Sequence, residues 1–410
     1  MVDTDASQLK EDQLNNKISN EEYKIWKKQS PFLYDLCLSK ASEARSFTVQ
    51  WYPDTPEYTK TVGPITTYSL LMATGVDREE PDGLIYRALV DIPNSNYSGG
   101  AKIENIVSPV QEIRHPGESN RARYAPKNPN IVASMSSLGS AYIFDMSKAP
   151  STPTEQPAPT LTLDHHSKEG FGLSWSNIEE NVLATGSQDG TVAIWDIAGG
   201  NNKPVHVFDD NAPADVNDVS FSYEHPYLLA AGSENRVLTI YDRRGTDFLR
   251  TKSSNARSGH SQGVNAVAFS PHHPTMVATG GADRNLMIWD IRNLQEPQAI
   301  LQGHSQDIVC VKWSPHDKSV LASGGTDRRV KIWDISRLDS SADESEGAPE
   351  LIFIHGGHSS RVSDIDWHPT MPWTIASVSE DNIIQVWKVA GAIVDGNSDD
   401  EEKENDDAEA

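Results

Sequence analysis

The sequence predicts an all-β repeat architecture, and three observations carry that prediction. Six aromatic residues, Phe144, Trp195, Tyr241, Trp289, Trp333 and Trp387, each stand twenty positions after a second aromatic: Tyr124, Trp175, Phe221, Phe269, Trp313 and Trp367. Five of the six stand twenty-nine positions after a histidine (His115, His166, His260, His304, His358), and four stand six positions after an aspartate (Asp189, Asp283, Asp327, Asp381). The intervals between the later aromatics are 51, 46, 48, 44 and 54, so a fixed internal register is joined by loops of variable length. Such a register marks a repeat protein in which each unit is one supersecondary module.

Taken in order, the chain opens with residues 1–18, polar and acidic (MVDTDASQLKEDQLNN), unlike a signal peptide and expected to be disordered. Residues 19–41 read as helical. Ser19-Asn20-Glu21-Glu22 fits a capping box, and Tyr23 and Trp26 follow three apart among helix formers. Ser30-Pro31 fits an N-cap and first helical position for FLYDLCLSKA, which would put Phe32, Leu33 and Leu36 on one face. The simplest role for that face is packing on the side of the repeat body.

The repeat body is expected to run over 42–394. Its first unit lies between Thr48 and Ile113, where FTVQWYP, TTYSLLMAT, GLIYRALVDI and AKIENIV read as strands without the His/Asp pair. Six units follow. The Trp313 unit is representative: VCVKW, a Ser314-Pro315 turn, VLASGG, the turn residues Thr326 and Asp327, then RVKIWD. β-branched and apolar residues punctuated by Gly, Pro and Asp indicate strands. Weaker copies carry Tyr241-Asp242 for Trp-Asp, Asn235 and Leu138 for the turn Asp, and Ala212 for the His. An acidic insertion at 339–350 holds five acids and no base, and the tail 395–410 holds nine acids against one lysine and is expected to be disordered. Few residues follow Trp387, so the last unit should borrow an outer strand from the N-terminal side, which removes an exposed strand edge.

The Gly-His opening and Trp-Asp close (Gly303-His304 to Trp333-Asp334; Gly259-His260 to Trp289-Asp290) resemble the WD-repeat family. That resemblance implies a seven-bladed WD-repeat β-propeller, here with an N-terminal α-helix packed on its side, and blades of four-stranded sheets around a central channel.

Composition narrows the function. Thirty-five bases against 59 acids give a net charge of −24, which repels nucleic acid and attracts basic partners. Cys37 and Cys310 are the two cysteines, which excludes a disulfide framework and points to a reducing compartment. No apolar run is long enough to span a membrane. Four His/Asp pairs at one spacing argue for recurring structural hydrogen bonds, each turn Asp accepting from a loop His, because a catalytic pair occurs once. His165-His166 and His272-His273 lack the Cys or spaced His of a zinc site, so no metal and no cofactor is expected. No phosphate-cradling loop or nucleophile elbow is present, and the chain does not read as an enzyme.

The non-repeat strings NEEYKIWKKQSPFLYDL, ELIFIHGGH and SVSEDNIIQVW narrow the likeness further. They resemble the retinoblastoma-associated histone-binding WD-repeat family, through almost the whole chain apart from the extreme ends. The resemblance implies a non-catalytic, histone chaperone-like subunit, of a type B histone acetyltransferase complex in the first instance, working in nucleus and cytoplasm. Chromatin assembly, deacetylase or methyltransferase complexes are the alternatives within the family. It also implies two sites. In the family a histone H4 helix lies in a side groove between the N-terminal helix and an acidic loop; the corresponding residues here are Phe32, Leu33, Leu36, Asp343, Glu346, Phe353 and Ile354. A second site, on the propeller face, takes the N-terminal tail of histone H3 or a similar basic peptide; the matching positions are Glu118, Asn120, Arg121, Glu169, Phe171, Asn265, Glu380 and Asn382. This chain departs from the family at Ala44 and Arg45 (usually Trp-Pro), Gly75 (histidine), Asn217 (acidic) and Val309 (aromatic), and losing a carboxylate and an aromatic wall should weaken capture of an arginine.

Two readings from other classes compete. Trp289-Asp290-Ile291-Arg292, with Tyr241-Asp242-Arg243-Arg244 as a weaker copy, fits the Trp-Asp-x-Arg pattern of cullin-type ubiquitin ligase substrate receptors, although an Arg there also fits a salt bridge within the blade. An orphan scaffold propeller would leave Phe353 and Ile354 as ordinary strand residues.

Overall fold

The computed structural model describes residues 2–75, 82–94, 106–150, 153–209, 213–244, 249–252, 259–338 and 348–394. Seven antiparallel sheets form seven blades, each of four strands, with a fifth short strand, Lys60–Val62, added to the first. The innermost strands are Ser46–Trp51, Ser119–Ala125, Gly172–Trp175, Val216–Phe221, Val264–Phe269, Ile308–Trp313 and Val362–Trp367, in blades 1 to 7. The region between Thr48 and Ile113 is therefore blade 1, as its strand patterns predict.

Strand register explains the twenty-residue spacing. In each unit the two aromatics pair, from opposite sides, with one residue of the strand between them: Trp175–Leu183–Trp195, Phe269–Val277–Trp289, Trp313–Leu321–Trp333 and Trp367–Ile375–Trp387. Each triplet is buried and packs into the layer between adjacent blades. Buried apolar side chains of this size contribute ~1.5–3 kcal/mol each. The repeat unit of the sequence straddles two blades: His115 ends the outer strand of blade 1 (Ser108–His115), while Tyr124 and Phe144 lie in blade 2.

The histidines have one constant partner, which the His/Asp spacing does not reveal. Each donates to or accepts from a hydroxyl nineteen positions on: His115 to Ser134 at 2.7 Å, His166 to Thr185 at 2.7 Å, His260 to Thr279 at 2.7 Å, His304 to Ser323 at 2.8 Å and His358 to Ser377 at 2.8 Å. The Trp Nε1–H ten positions later donates to the same oxygen in four units, at 2.8 to 3.1 Å. The expected Asp acceptance from His holds in only two units, His260–Asp283 at 2.9 Å and His304–Asp327 at 2.9 Å. In the others the closest approach is 3.4 Å for His166–Asp189 and 3.8 Å for His358–Asp381. There the Thr191 hydroxyl takes the Nδ1 contact of His166 at 3.0 Å, and His358 Nδ1 is left unpaired. The invariant job of the turn Asp is to accept the backbone N–H after the His: Ser167, Ser261, Ser305 and Ser359, at 2.7 to 3.0 Å.

The N-terminal segment departs from its sequence reading. Helix α1 spans Val2–Leu33 without a break, so residues 2–18, expected to be disordered, are helical. Ala6, Gln8, Leu9, Lys10, Glu11, Gln13 and Leu14 are strong helix formers and carry the helix past the capping box at Ser19. Pro31 sits in the last turn of α1 rather than at the start of a second helix. The chain then becomes strand β1, Tyr34–Ala41, paired antiparallel with Ile383–Val389 (Tyr34 with Val389, Ala41 with Ile383). β1 is thus the fourth strand of blade 7, the borrowed outer strand that closes the ring. The 19–41 segment is half helix and half strand, and Phe32, Leu33 and Leu36 do not share a helical face. Among the described residues no helix is long and apolar enough to cross a membrane. The tail 395–410 and most of the acidic insertion lie outside the described residues.

Candidate functional site

The side surface is built where α1 meets blades 6 and 7. Trp26 is the anchor, 9% exposed in the midst of otherwise exposed helix residues. Its indole N–H donates to Tyr34 Oη at 2.9 Å; Tyr34 Oη lies 2.8 Å from His355 Nδ1; His355 Nε2 lies 2.7 Å from Gln385 Oε1; and Gln385 Nε2 donates to the Gly357 carbonyl at 3.0 Å. This buried relay links the helix, β1, the outer strand of blade 6 (Leu351–His355) and the Ile383–Val389 strand of blade 7. Gly357 permits it, because a Cβ there would collide with Gln385 Oε1 and stand 2.8 Å from the Trp26 ring. Burial, with the nearby His358, holds the His355 imidazole well below its ordinary pKa, so it is neutral. Glu22 adds a second anchor, accepting from Arg328 at 2.9 Å and Arg329 at 2.8 Å in a turn of blade 6.

The candidate groove residues divide. Phe32 is 81% exposed and Ile354 is 45% exposed, while Leu33 is half-buried against the cluster around Trp26, Tyr34 and Phe353. Phe353 is buried, its ring edge-on to Tyr34 at 5.4 Å, and so belongs to the core beneath the surface. Leu36 lies on β1 and packs against a different cluster, shared between blades 7 and 1. The Leu33 carbonyl accepts from Ala390 N–H at 3.0 Å, which brings the half-buried Ile393 and Val394 to the same cluster. Asp343 and Glu346 lie outside the described residues.

The candidate face residues are organised by one register. Asn120, Phe171 and Asn265 each stand four positions before the inner aromatic of their blade, and so do Asn217 and Val309, with Phe47 and Ser363 completing one position per blade. Three asparagines of this ring donate to the next blade's backbone: Asn120 to Gly170 at 3.2 Å, Asn217 to Val264 at 3.1 Å and Asn265 to Ile308 at 3.1 Å. Glu169 accepts from the Asn120 amide at 3.3 Å, Glu380 pairs with Arg361 at 2.5 Å, and Phe171 is 37% exposed. Asn382 sits in a turn at φ 61°, its carbonyl accepting from Ser42 N–H at 2.7 Å. Arg121 does not reach the face. It turns into the central channel and pairs with Asp218 at 3.1 Å.

The channel is a polar seam of about 370 Å³. Arg123 pairs with Asp364 at 2.8 Å, and Lys312 lies beside Asp364 and Asp366. Burial raises the Asp366 carboxyl to about 6, against the pull of Lys312, and lowers the Lys312 ammonium. Cations and carboxylates alternate across the blades, so the seam ties the ring together.

Arg292 folds back on Asp290, its Nε at 2.9 and 3.0 Å from the two carboxylate oxygens, and Arg244 holds Asp242 in the same fork at 3.0 Å. Both Trp-Asp-x-Arg-like turns therefore contain the local salt bridge that explains them within the blade. Among the described residues no cluster of His, Cys, Asp or Glu has the form of a metal site.

Comparison with known proteins agrees with this architecture. The family model for the histone-binding protein RBBP4, a component of the CAF1 complex, matches residues 21–93. The WD domain, G-beta repeat model matches 158–196, 202–242, 252–290, 295–334 and 349–388. Two relatives, each named histone acetyltransferase type B subunit 2, from Aspergillus oryzae and Aspergillus fumigatus, are both 48% identical over 405 residues, covering 92% of each chain.

Proposed function

The chain belongs to the WD-repeat histone-binding family that includes subunit 2 of type B histone acetyltransferases, and from that membership we propose that it is a non-catalytic subunit that holds histone H4 for a partner acetyltransferase. The observation that carries the proposal is the wall at the end of α1. Phe32, 81% exposed, and half-buried Leu33 present apolar surface on a helix that Trp26 and Glu22 hold rigidly. A folded protein leaves so large an aromatic in water at a cost, and a partner's amphipathic helix laid against it would recover ~1.5–3 kcal/mol per buried side chain. Ile354 supplies apolar surface from blade 6, and the insertion containing Asp343 and Glu346 supplies carboxylates for a basic helix. Exposed ion pairs give only ~0–1 kcal/mol, so the apolar wall sets affinity and the acids set orientation and association rate.

The non-catalytic reading is supported by the use of every repeat histidine in a structural hydrogen bond to Ser or Thr. Acidity argues against direct nucleic-acid contact. The same module would serve chromatin assembly, deacetylation or methylation complexes, and we place it in nucleus and cytoplasm accordingly.

The test is titration of a histone H4 helix peptide against wild type and Phe32→Asp. A loss of tenfold or more in affinity is expected with the thermal midpoint unchanged; equal affinities would sink the side-groove reading.

A further inference from the structure

Arg45 lies between β1 and the inner strand of blade 1. Its guanidinium carbon stands 5.0 Å from the centroid of the Phe47 ring, and its Nη2–H donates to Glu118 Oε1 at 2.8 Å. Gly75 makes the space. A Cβ at that position would stand 2.7 Å from Glu118 Oε1, 3.0 Å from the Phe47 ring and 3.2 Å from Arg45 Nε. An aromatic face beside a carboxylate is the chemistry that captures a cationic side chain, by cation–π attraction and a charge-assisted hydrogen bond. Phe47 belongs to the ring of residues four positions before the inner aromatics, and Glu118 immediately precedes the inner strand of blade 2.

We propose that Arg45 is an internal occupant of a cation pocket formed by Phe47 and Glu118, and that it lowers the affinity of this face for basic peptides, because an incoming arginine or lysine must displace it. The inference rests on the reading of this face as a basic-peptide site and adds the residue that sets its selectivity. Two departures from the family pattern, Arg45 and Gly75, become one device: the missing side chain of Gly75 is the room in which Arg45 and Glu118 meet. The occupant is displaceable. Arg45 is 46% and Glu118 21% exposed at the side chain, so water screens the pair and either residue can swing away.

The experiment is fluorescence anisotropy at low salt with a labelled ten-residue peptide of alternating arginine and alanine. Wild type is compared with Arg45→Gln and with Lys60→Gln, which removes one positive charge from an exposed strand of the same blade. Arg45→Gln should tighten binding about three- to fivefold beyond any gain from Lys60→Gln, the range an exposed ion pair permits. Arg45→Lys should fall between wild type and Arg45→Gln, and adding Glu118→Gln should erase the difference. Equal binding by Arg45→Gln and Lys60→Gln overturns the role of Arg45 while leaving the face a basic-peptide site. If no variant binds the arginine peptide although the H4 helix peptide still binds, the face is not such a site and the proposal falls with that reading.

Discussion

The indole N–H of Trp26 donates to the hydroxyl of Tyr34 across 2.9 Å, joining the helix that carries the exposed Phe32 to the strand that closes the ring. Tyr34 Oη also meets His355 Nδ1, so one buried oxygen serves two partners.

Tyr34→Phe should therefore cost about 1–3 kcal/mol, because it leaves a buried indole N–H and a buried imidazole nitrogen unpaired while removing almost no volume. Urea unfolding of the two proteins measures it. Trp26→Ala should cost about 3–5 kcal/mol, as a large aromatic leaves a packed cluster.

Phe32 and Phe353 should separate cleanly. Phe353→Ala removes a buried ring in contact with Tyr34 and should destabilise by about 3–5 kcal/mol. Phe32→Ala should leave the thermal midpoint within a degree or two and weaken H4 helix binding. Calorimetry and a peptide titration on both variants distinguish core from surface; a destabilised Phe32→Ala would contradict its exposure.

Coupling between His and turn Asp should differ between units. A double-mutant cycle on His304 and Asp327, bonded at 2.9 Å, should return an interaction of about 0.5–3 kcal/mol, while His358 and Asp381, 3.8 Å apart, should approach additivity. Equal coupling energies would remove the distinction.

Stability should fall as pH drops from about 6.5 toward 4. Burial lowers His115 to about 4, His368 to about 3 and His355 well below its ordinary value. The unfolded chain, with ordinary histidines, then binds more protons than the folded one throughout that window, so acidification favours unfolding. The loss is on the order of 2 kcal/mol per histidine by pH 5. Asp366, raised by burial to about 6, works the other way: its penalty is present at neutral pH and relaxes as pH falls through 6, returning on the order of 1 kcal/mol. Urea midpoints that are flat from pH 7 to pH 5 would refute the sum.

The blades were legible because the twenty-residue spacing is a register fact: both aromatics of a unit face one residue of the strand between them. The hydroxyl nineteen positions after each His was equally legible, at Ser134, Thr185, Thr279, Ser323 and Ser377. One unit confirms its meaning by losing the set together, with Ala212 for His, Ala231 for the hydroxyl and Tyr241 for Trp. Removing every partner of a buried hydrogen bond leaves no orphan, which is nearly neutral. β1 was misread because FLYDLCLSKA satisfies both periods. Phe32, Leu33 and Leu36 fit a helix, but Tyr34, Leu36 and Leu38 alternate as a strand does, and pairing with Ile383–Val389 settles the contest. The groove's apolar side was legible as residues but not as exposure: nothing in ELIFIHGGH tells that Phe353 turns inward and Ile354 outward until the strand's partner in blade 6 is known.

Blade 7 joins residues 34–41 to residues 362–389, so the ring is sealed by segments made first and almost last on the ribosome. During synthesis, β1 and the end of α1 must wait, unpaired, for some 340 residues. Blades can form locally as they emerge, but this pairing spans the whole chain and carries the largest loop-closure penalty. Because Trp26 is buried through Tyr34, His355 and Gln385, the wall bearing Phe32 is assembled only at that final event. A nascent or truncated chain has no competent wall to offer, so partner capture reports on completion of the protein itself.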